Sequence, residues 1–124
     1  MTKRFALQAG AFFGFAGVAL GAFGAHALKS FLTQQGRLDT FELAVRYQFY
    51  HALALILTGI LMHLFGSVKF KYAVICFILG ILFFSGSLYA LCFTGLGFMG
   101  MITPIGGLLL IIGWSFIFVV ALEK

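Results

Sequence analysis

Charged side chains are scarce in this sequence. Eight lysines and arginines and three aspartates and glutamates make up 9% of its 124 residues. Soluble domains carry roughly 25% charged residues, because water has to solvate their surfaces. Since 63% of the residues are hydrophobic and 17 are phenylalanine, the composition excludes an ordinary soluble domain. It predicts an integral membrane protein.

Motifs for redox or metal chemistry are also missing. The two cysteines, Cys76 and Cys92, lie about 24 Å apart along one predicted helix, so they cannot pair with each other. No Cys-x-x-Cys, Glu-x-x-His or His-Glu-x-x-His spacing occurs. His26 and His51 are the candidate ligands for a haem or a metal, but their expected depths in the membrane differ. We therefore expect no metal site, no cofactor and no catalytic residues.

Four apolar stretches are long enough to cross a bilayer, which takes about 20 residues per helix. Together they predict an all-α integral membrane four-helix bundle with short loops, and a single transmembrane domain over residues 1–124. The first stretch is longer than the roughly 7–15 apolar residues of a signal peptide, so we expect it to be retained as a span. The predicted spans are residues 5–28, 41–65, 72–93 and 102–122.

Three features outside the apolar stretches refine this prediction. Residues 29–39 are too short for a domain and are expected to form an interfacial segment. Pro104 is expected to open the fourth span, where its missing N–H leaves no acceptor unpaired. Five of the seven lysines and arginines near span ends lie on the side of the two termini, which favours cytoplasmic termini and leaves a dual topology open. The net charge of +5 suits this rule and anionic lipids rather than nucleic acid.

Glycine supplies the clearest packing signal. Five glycines of the first span recur at steps of four and three, which keeps them on one helix face. Small residues let helix backbones approach closely in lipid, where burial of apolar surface gives helices little reason to associate. We expect this face to pack against a neighbouring helix of the same subunit, although a second copy of the chain would fit equally well. The glycines are Gly10, Gly14, Gly17, Gly21 and Gly24.

Polar side chains concentrate in the half of the bundle that this topology places outside. An ionisable group in a membrane costs about 2.5–3.5 kcal/mol on insertion scales, so such groups usually face protein or a water-filled cavity. Glu42 and Arg46 have the spacing of a helical ion pair, and we expect Arg46 and His51 to be buried and hydrogen-bonded. Glu42 is equally well explained as a residue of the wet interface. The predicted polar cluster is His26, Glu42, Arg46, Tyr47, Tyr50, His51, Ser85, Ser87, Tyr89 and Thr103.

Four segments of the chain resemble a known family. They are residues 21–28 (GAFGAHAL), 47–55 (YQFYHALAL), 84–89 (FSGSLY) and 102–107 (ITPIGG), the last followed by Gly113 and Trp114. In this order they are similar to a small bacterial inner-membrane family known as a domain of unknown function, which has small four-helix relatives in eukaryotes. Many members carry an aromatic residue just before the Tyr-x-x-Tyr-His segment, a position that only Phe41 could supply here. The resemblance implies a multi-pass protein of the bacterial inner membrane and no activity, and it adds weight to the motif positions within the polar cluster.

Two functional hypotheses follow. In the first, the chain is a non-catalytic structural or accessory membrane protein that associates with lipids and with a second copy or a partner membrane protein, and its polar cluster holds the bundle together. In the second, it is a small transporter or channel that uses the cluster as an entrance or binding site. A conducting path would have to continue into the inner half, where polar residues are few, so the first hypothesis is favoured. A lipid- or quinone-modifying enzyme ranks third.

Overall fold

Residues 2–123, which the computed structural model describes, form five α-helices joined by short turns. The helices are α1 (Lys3–Ala25), α2 (Lys29–Gln34), α3 (Leu38–Leu64), α4 (Lys69–Thr94) and α5 (Met99–Leu122). The four long helices are long and apolar enough to cross a membrane. A helix satisfies its own backbone hydrogen bonds, which lipid cannot do. The predicted all-α membrane four-helix bundle is confirmed.

The observed helices are displaced from the predicted spans at their ends. Each of the four long helices begins two or three residues earlier than the apolar stretch, because a helix continues into the interface while the hydropathy signal marks only its lipid-embedded part. At the start of α1, the Thr2 side chain accepts a hydrogen bond from the Phe5 amide at 3.2 Å. At its other end α1 stops at Ala25 rather than residue 28, and His26 caps it.

Pro104 does not open the fourth span. Helix α5 begins at Met99, so Pro104 lies in its second turn. Proline has no N–H, and the Gly100 carbonyl therefore lacks its usual helical donor. Gly100 is an exposed residue near the start of the helix. The prediction was wrong because the weakly apolar Met-Gly-Met sequence at 99–101 is already helical.

The segment between the first two spans contains the short helix α2. It lies across one end of the bundle and buries Leu32 completely, against Phe41 and Cys92. The Phe31 ring stacks on Phe93 of α4, with 6.0 Å between the ring centroids. Gly36, at φ +67°, adopts the left-handed conformation that turns the chain into α3. We call the half of the bundle nearer α2 the outer half, following the predicted orientation.

The glycine face of α1 lies along α3. A Cβ atom built on Gly10 would stand 2.6 Å from Ile56 Cγ1 and 2.8 Å from the Ala52 carbonyl oxygen. At Gly24 the same atom would stand 2.5 Å from the Phe41 ring. The backbones of α1 and α3 therefore approach too closely for a side chain at Gly10, and at Gly24 the Phe41 ring takes the place of one. Both glycines pack against α3 of the same subunit.

The remaining packing is sequential and mostly apolar. Helix α3 packs on α4, and α4 on α5. The inner half is filled by a cluster centred on buried residues such as Leu55, Val74 and Phe77. At the inner end, Lys3 Nζ lies 2.7 Å from His63 Nδ1, and Lys69 forms an ion pair with Glu123. These contacts fasten α1 to α3 and α4 to α5 where the helices leave the apolar core.

Candidate functional site

Buried and half-buried polar side chains, with the exposed Trp114, connect all four spans through hydrogen bonds. Every buried side-chain nitrogen and oxygen within residues 2–123 has a hydrogen-bond partner. We call the side chains that bond across helices between the two ends of the bundle the interhelical network, which leaves out the Lys3–His63 and Lys69–Glu123 contacts at the inner end. Its members are Gln48, His51, Ser85, Ser87, Tyr89, Thr103 and Trp114.

Gln48 is the centre of this network. Its side chain is 3% exposed and lies between α1 and α4. Gln48 Nε2 donates to the Phe13 carbonyl oxygen of α1 at 2.9 Å, and Gln48 Oε1 accepts from the Tyr89 hydroxyl of α4 at 2.7 Å. The amide lies beside Gly17, where an added Cβ would make an ordinary contact with Gln48 Nε2 at 3.6 Å. One amide thus ties three helices together.

Two serines of α4 bond to its neighbours. Ser85 is 1% exposed, and its hydroxyl donates to the Ala44 carbonyl oxygen of α3 at 2.7 Å. Ser87 Oγ donates to the Phe84 carbonyl oxygen at 2.9 Å and lies 2.6 Å from Thr103 Oγ1 of α5. Thr103 Oγ1 also lies 3.5 Å from the Met99 carbonyl oxygen, so either hydroxyl can be the donor in the bond between Ser87 and Thr103. The two serines therefore face opposite partners from one helix.

His51 lies near the middle of α3 and bonds in two directions. Its Nδ1 is 2.7 Å from the Tyr47 carbonyl oxygen, and its Nε2 is 3.0 Å from Trp114 Nε1 of α5. A carbonyl only accepts and an indole N–H only donates, so the geometry requires a neutral imidazole with its proton on Nδ1. The Phe77 ring packs against both His51 and Trp114, at centroid distances of 5.6 Å and 5.2 Å. Both ring nitrogens are occupied by protein partners.

Five members of the predicted cluster lie outside the network, one of them at its border. His26 is exposed at the end of α1 and is separated from the buried His51. Glu42, Arg46 and Tyr50 share one face of α3, as their four-residue steps predict, but that face is exposed. The expectation that Arg46 is buried is wrong, and within residues 2–123 no ion pair joins it to Glu42. The physical reason is that α1 and α4 cover the other faces of α3, so the face that carries these three residues stays exposed.

Tyr47 lies at the border of the network. Its side chain is 36% exposed, and its ring stacks on Phe84 of α4 with 4.7 Å between centroids. The Tyr50 ring lies 5.8 Å from it on the exposed side. Tyr47 therefore contributes its backbone carbonyl and its ring face to the site, while its ring remains partly open to the surroundings.

Gln48 and Trp114 were not among the predicted site residues. A signal for Gln48 was present, because it continues the series Phe41, Ala44, His51 and Leu55 at steps of three and four, which is the spacing of a buried helix face. No comparable signal marked Trp114. Its indole N–H reaches His51 of α3 only because α5 packs on α4 in a particular register.

The network has little capacity left for chemistry. Both ends of the Gln48 amide, both nitrogens of His51 and the donating protons of the buried hydroxyls are engaged by protein groups. A catalytic base or a metal ligand needs a free lone pair directed at its target. The arrangement is suited to fixing the helices relative to one another.

Four apolar spans joined by buried side-chain hydrogen bonds define a small, multi-pass, all-helical membrane protein. A family profile described as "Protein of unknown function (DUF423)" matches residues 20–107. This range contains the four sequence segments that suggested an inner-membrane family. The chain belongs to this family, and the resemblance is confirmed.

Individual relatives extend the match to nearly the whole chain. The UPF0382 inner membrane protein YgdD of Escherichia coli K12 is 37% identical over 125 residues, covering 99% of this chain and 93% of the relative. The UPF0382 membrane protein SH2409 of Staphylococcus haemolyticus is 46% identical over 97 residues, 78% of each chain. The UPF0382 membrane protein SERP0230 of Staphylococcus epidermidis is 42% identical over 106 residues, covering 86% of this chain and 85% of the relative. No solved structure matches the chain. With its four spans, the chain is a multi-pass protein of the bacterial inner membrane.

Proposed function

We propose that this protein is a non-catalytic structural or accessory component of the inner membrane, and that its buried polar residues hold the four spans in a fixed arrangement. The observation that carries the proposal is the saturation of the interhelical network. A binding or catalytic site would present polar atoms toward a cavity, whereas these atoms bond to one another and to helix carbonyls.

The packing of the inner half supports the same proposal over transport. Fully buried apolar side chains, among them Leu55, Val74 and Phe77, fill the space beyond His51. The buried Thr58 hydroxyl of this region is bonded to the Ala54 carbonyl oxygen at 2.7 Å, so an ion crossing it would find little compensation, and uncompensated charge in an apolar interior is costly. The small-transporter hypothesis would need a path that opens through this core.

As an accessory component, the protein would act through its outward faces. The exposed face of α1 carries Phe12 and Phe15, and that of α5 carries Ile111 and Phe118. Lipid can cover such faces, and so can a second copy or another membrane protein. We propose that the protein associates with lipids and, through one of these faces, with a second copy or a partner membrane protein.

Proteoliposomes distinguish the structural role from transport. We expect purified protein to move protons, sodium ions and halides no faster than protein-free vesicles under imposed gradients. The Tyr89→Phe variant removes one network bond, and Tyr72→Phe is the matched control on an exposed position of the same helix. A flux that Tyr89→Phe abolishes and Tyr72→Phe preserves, in two equally folded variants, would contradict the proposal.

Photo-crosslinking in the native membrane tests the accessory role. A photoreactive residue in place of Phe15 or Phe118 would report what covers the exposed faces of α1 and α5. We expect one face to give a discrete adduct with a defined protein mass, and the same residue in place of the buried Phe77 to give none. If both faces gave adducts with lipid alone, the proposed association with a second copy or a partner protein would be wrong.

A further inference from the structure

We infer that the crevice between α1 and α3 at the outer end of the bundle binds the headgroup of an ethanolamine phospholipid. The crevice has a volume of about 260 Å³ and opens at the side of the bundle. It is separate from the interhelical network and shares no residue with it. Its lining residues are Gly21, Gly24, Ala25, Phe41, Glu42, Val45 and Arg46.

Small residues of α1 create the space. A Cβ on Gly21 would stand 3.4 Å from Val45 Cγ1, and one on Gly24 would overlap the ring of Phe41. The Phe41 ring fills the place of a side chain at Gly24, and the crevice lies beside this ring, Gly21 and the small, exposed Ala25. The apolar floor suits the glycerol and upper acyl region of a lipid, and the charged groups stand at its rim.

Two opposite charges line this crevice without neutralising each other. Glu42 and Arg46 are both exposed, and no ion pair joins them within residues 2–123. A lone charge near the membrane is unfavourable unless water, lipid or protein compensates it. A ligand that carries one charge of each sign would satisfy both side chains at once.

The order of the charges along α3 selects the ligand. Helix α3 starts at Leu38, so Glu42 lies about 6 Å and Arg46 about 12 Å along the axis from that end. In an ethanolamine phospholipid, the phosphate lies nearer the hydrocarbon and the ammonium nearer the water. Arg46 is therefore at the level of the phosphate and Glu42 at the level of the ammonium. This match holds in whichever leaflet the outer end resides.

The side-chain chemistry agrees with this order. The Arg46 guanidinium presents a planar fork of N–H donors that fits phosphate oxygens. The Glu42 carboxylate accepts hydrogen bonds, and an ethanolamine ammonium provides three N–H donors. Phosphatidylcholine has the same charges without N–H donors, and phosphatidylglycerol has no cation. Phosphatidylcholine therefore tests the hydrogen bonds to Glu42, and phosphatidylglycerol tests binding through Arg46 without a cation for Glu42.

Native mass spectrometry of the purified full-length protein with defined lipids tests the inference. We expect phosphatidylethanolamine to be retained about threefold to tenfold more than phosphatidylcholine or phosphatidylglycerol, the range for one or two exposed charge-assisted contacts. Glu42→Gln should remove the preference for ethanolamine over choline. Arg46→Gln should reduce retention of all three lipids. Asp39→Asn and Arg4→Gln, exposed charges outside the crevice, should change nothing.

A steric variant keeps the test independent of charge. Ala25→Leu adds bulk to the crevice wall from an exposed position, so the fold should be preserved while ethanolamine lipid is lost. Equal retention of all three lipids, stronger retention of phosphatidylglycerol, or ethanolamine retention that survives both Ala25→Leu and Glu42→Gln would overturn the inference. Thermal unfolding of each variant in detergent identifies any that has failed to fold.

Discussion

The two faces of α3 associate with their neighbours by different means. Toward α1 the helix meets a row of glycines, and the backbones come close enough to exclude a Cβ at Gly10. Toward α4 it meets the hydroxyls of Ser85 and Tyr89, which bond to the Ala44 carbonyl and to the Gln48 amide. Lipid offers helices these two sources of affinity, close van der Waals contact and interhelical hydrogen bonds.

The two means compete for the same space between helices. Where backbones approach as closely as at Gly10 there is no room for a polar side chain, but further along the same seam the Gln48 amide bonds to the Phe13 carbonyl of α1. The α4–α5 seam uses both, with Gly106 against the α4 backbone and Ser87 bonded to Thr103. Glycine seams should therefore fail sharply when a methyl group is added, and hydrogen-bonded seams should weaken gradually.

The largest effect is expected at Gly106. A Cβ there would overlap the backbone nitrogen of Phe84 and stand 2.6 Å from the Phe83 carbonyl carbon, and backbone atoms cannot rotate away. Gly106→Ala should lower the free energy of unfolding by about 3 kcal/mol, the upper part of the range for overpacking. Gly107→Ala is the matched control, since its Cβ would meet only the Phe84 ring at 3.6 Å. Denaturation in mixed detergent micelles measures both, and equal losses would contradict the account.

A smaller loss is expected on the glycine face of α1. Gly10→Ala should cost about 1–3 kcal/mol, because α1 and α3 must separate to admit the methyl group near Ala52 and Ile56. Gly14 belongs to the same face, but a Cβ there would lie 3.9 Å from Ala52 Cβ, an ordinary contact. Gly14→Ala should stay within about 0.5 kcal/mol of the parent. The same unfolding assay measures both variants. If Gly10→Ala left the free energy of unfolding unchanged, α1 and α3 would be packed less closely than described.

Removing a hydrogen bond between α3 and α4 should have a milder effect. Ser85→Ala deletes the bond to the Ala44 carbonyl, and we expect a loss of about 0.6 kcal/mol, the average for such bonds in membrane proteins. Ser115→Ala is the control, because the exposed Ser115 bonds only to Ile111 of its own helix. A loss at Ser85 as large as that at Gly106 would erase the contrast between the two kinds of seam.

The smallest effect is spectroscopic. The chain has a single tryptophan, and its indole N–H donates to His51 at 3.0 Å. His51→Phe removes the acceptor, so the fluorescence emission of Trp114 should shift to shorter wavelength. Tyr50→Phe, on the exposed face of α3, should leave the emission unchanged. An unaltered spectrum in His51→Phe would mean that the His51–Trp114 bond does not form.

The sequence was sufficient for the spans and for the face that the glycines share. Long apolar runs predict helices in lipid directly, and steps of three and four define a helix face. The helix that meets this face, α3, was not predictable, because a row of glycines carries no information about its partner. Pro104 was misplaced for a related reason, since hydropathy does not detect helical turns outside the apolar core.

The candidate site was only partly predictable. Ser85, Ser87, Tyr89, His51 and Thr103 were named as polar residues at suitable depths, and they lie in the network. Glu42, Arg46 and Tyr50 were grouped with them because their spacing puts them on one helix face, but spacing does not say which way a face points. The bonds of Gln48 and Trp114 depend on the register between helices, which no local pattern specifies.

The central claim is that the buried polar residues stabilise the bundle by bonding to one another. A double-mutant cycle on Gln48 and Tyr89 tests it most directly, using Gln48→Leu, Tyr89→Phe and the combined variant in the micellar unfolding assay. We predict a coupling free energy of about 0.6 kcal/mol and at most about 1.7 kcal/mol, the range found for interhelical bonds in lipid. Additive losses with no coupling would contradict the account, because Gln48 and Tyr89 would then not stabilise the bundle through the bond between them.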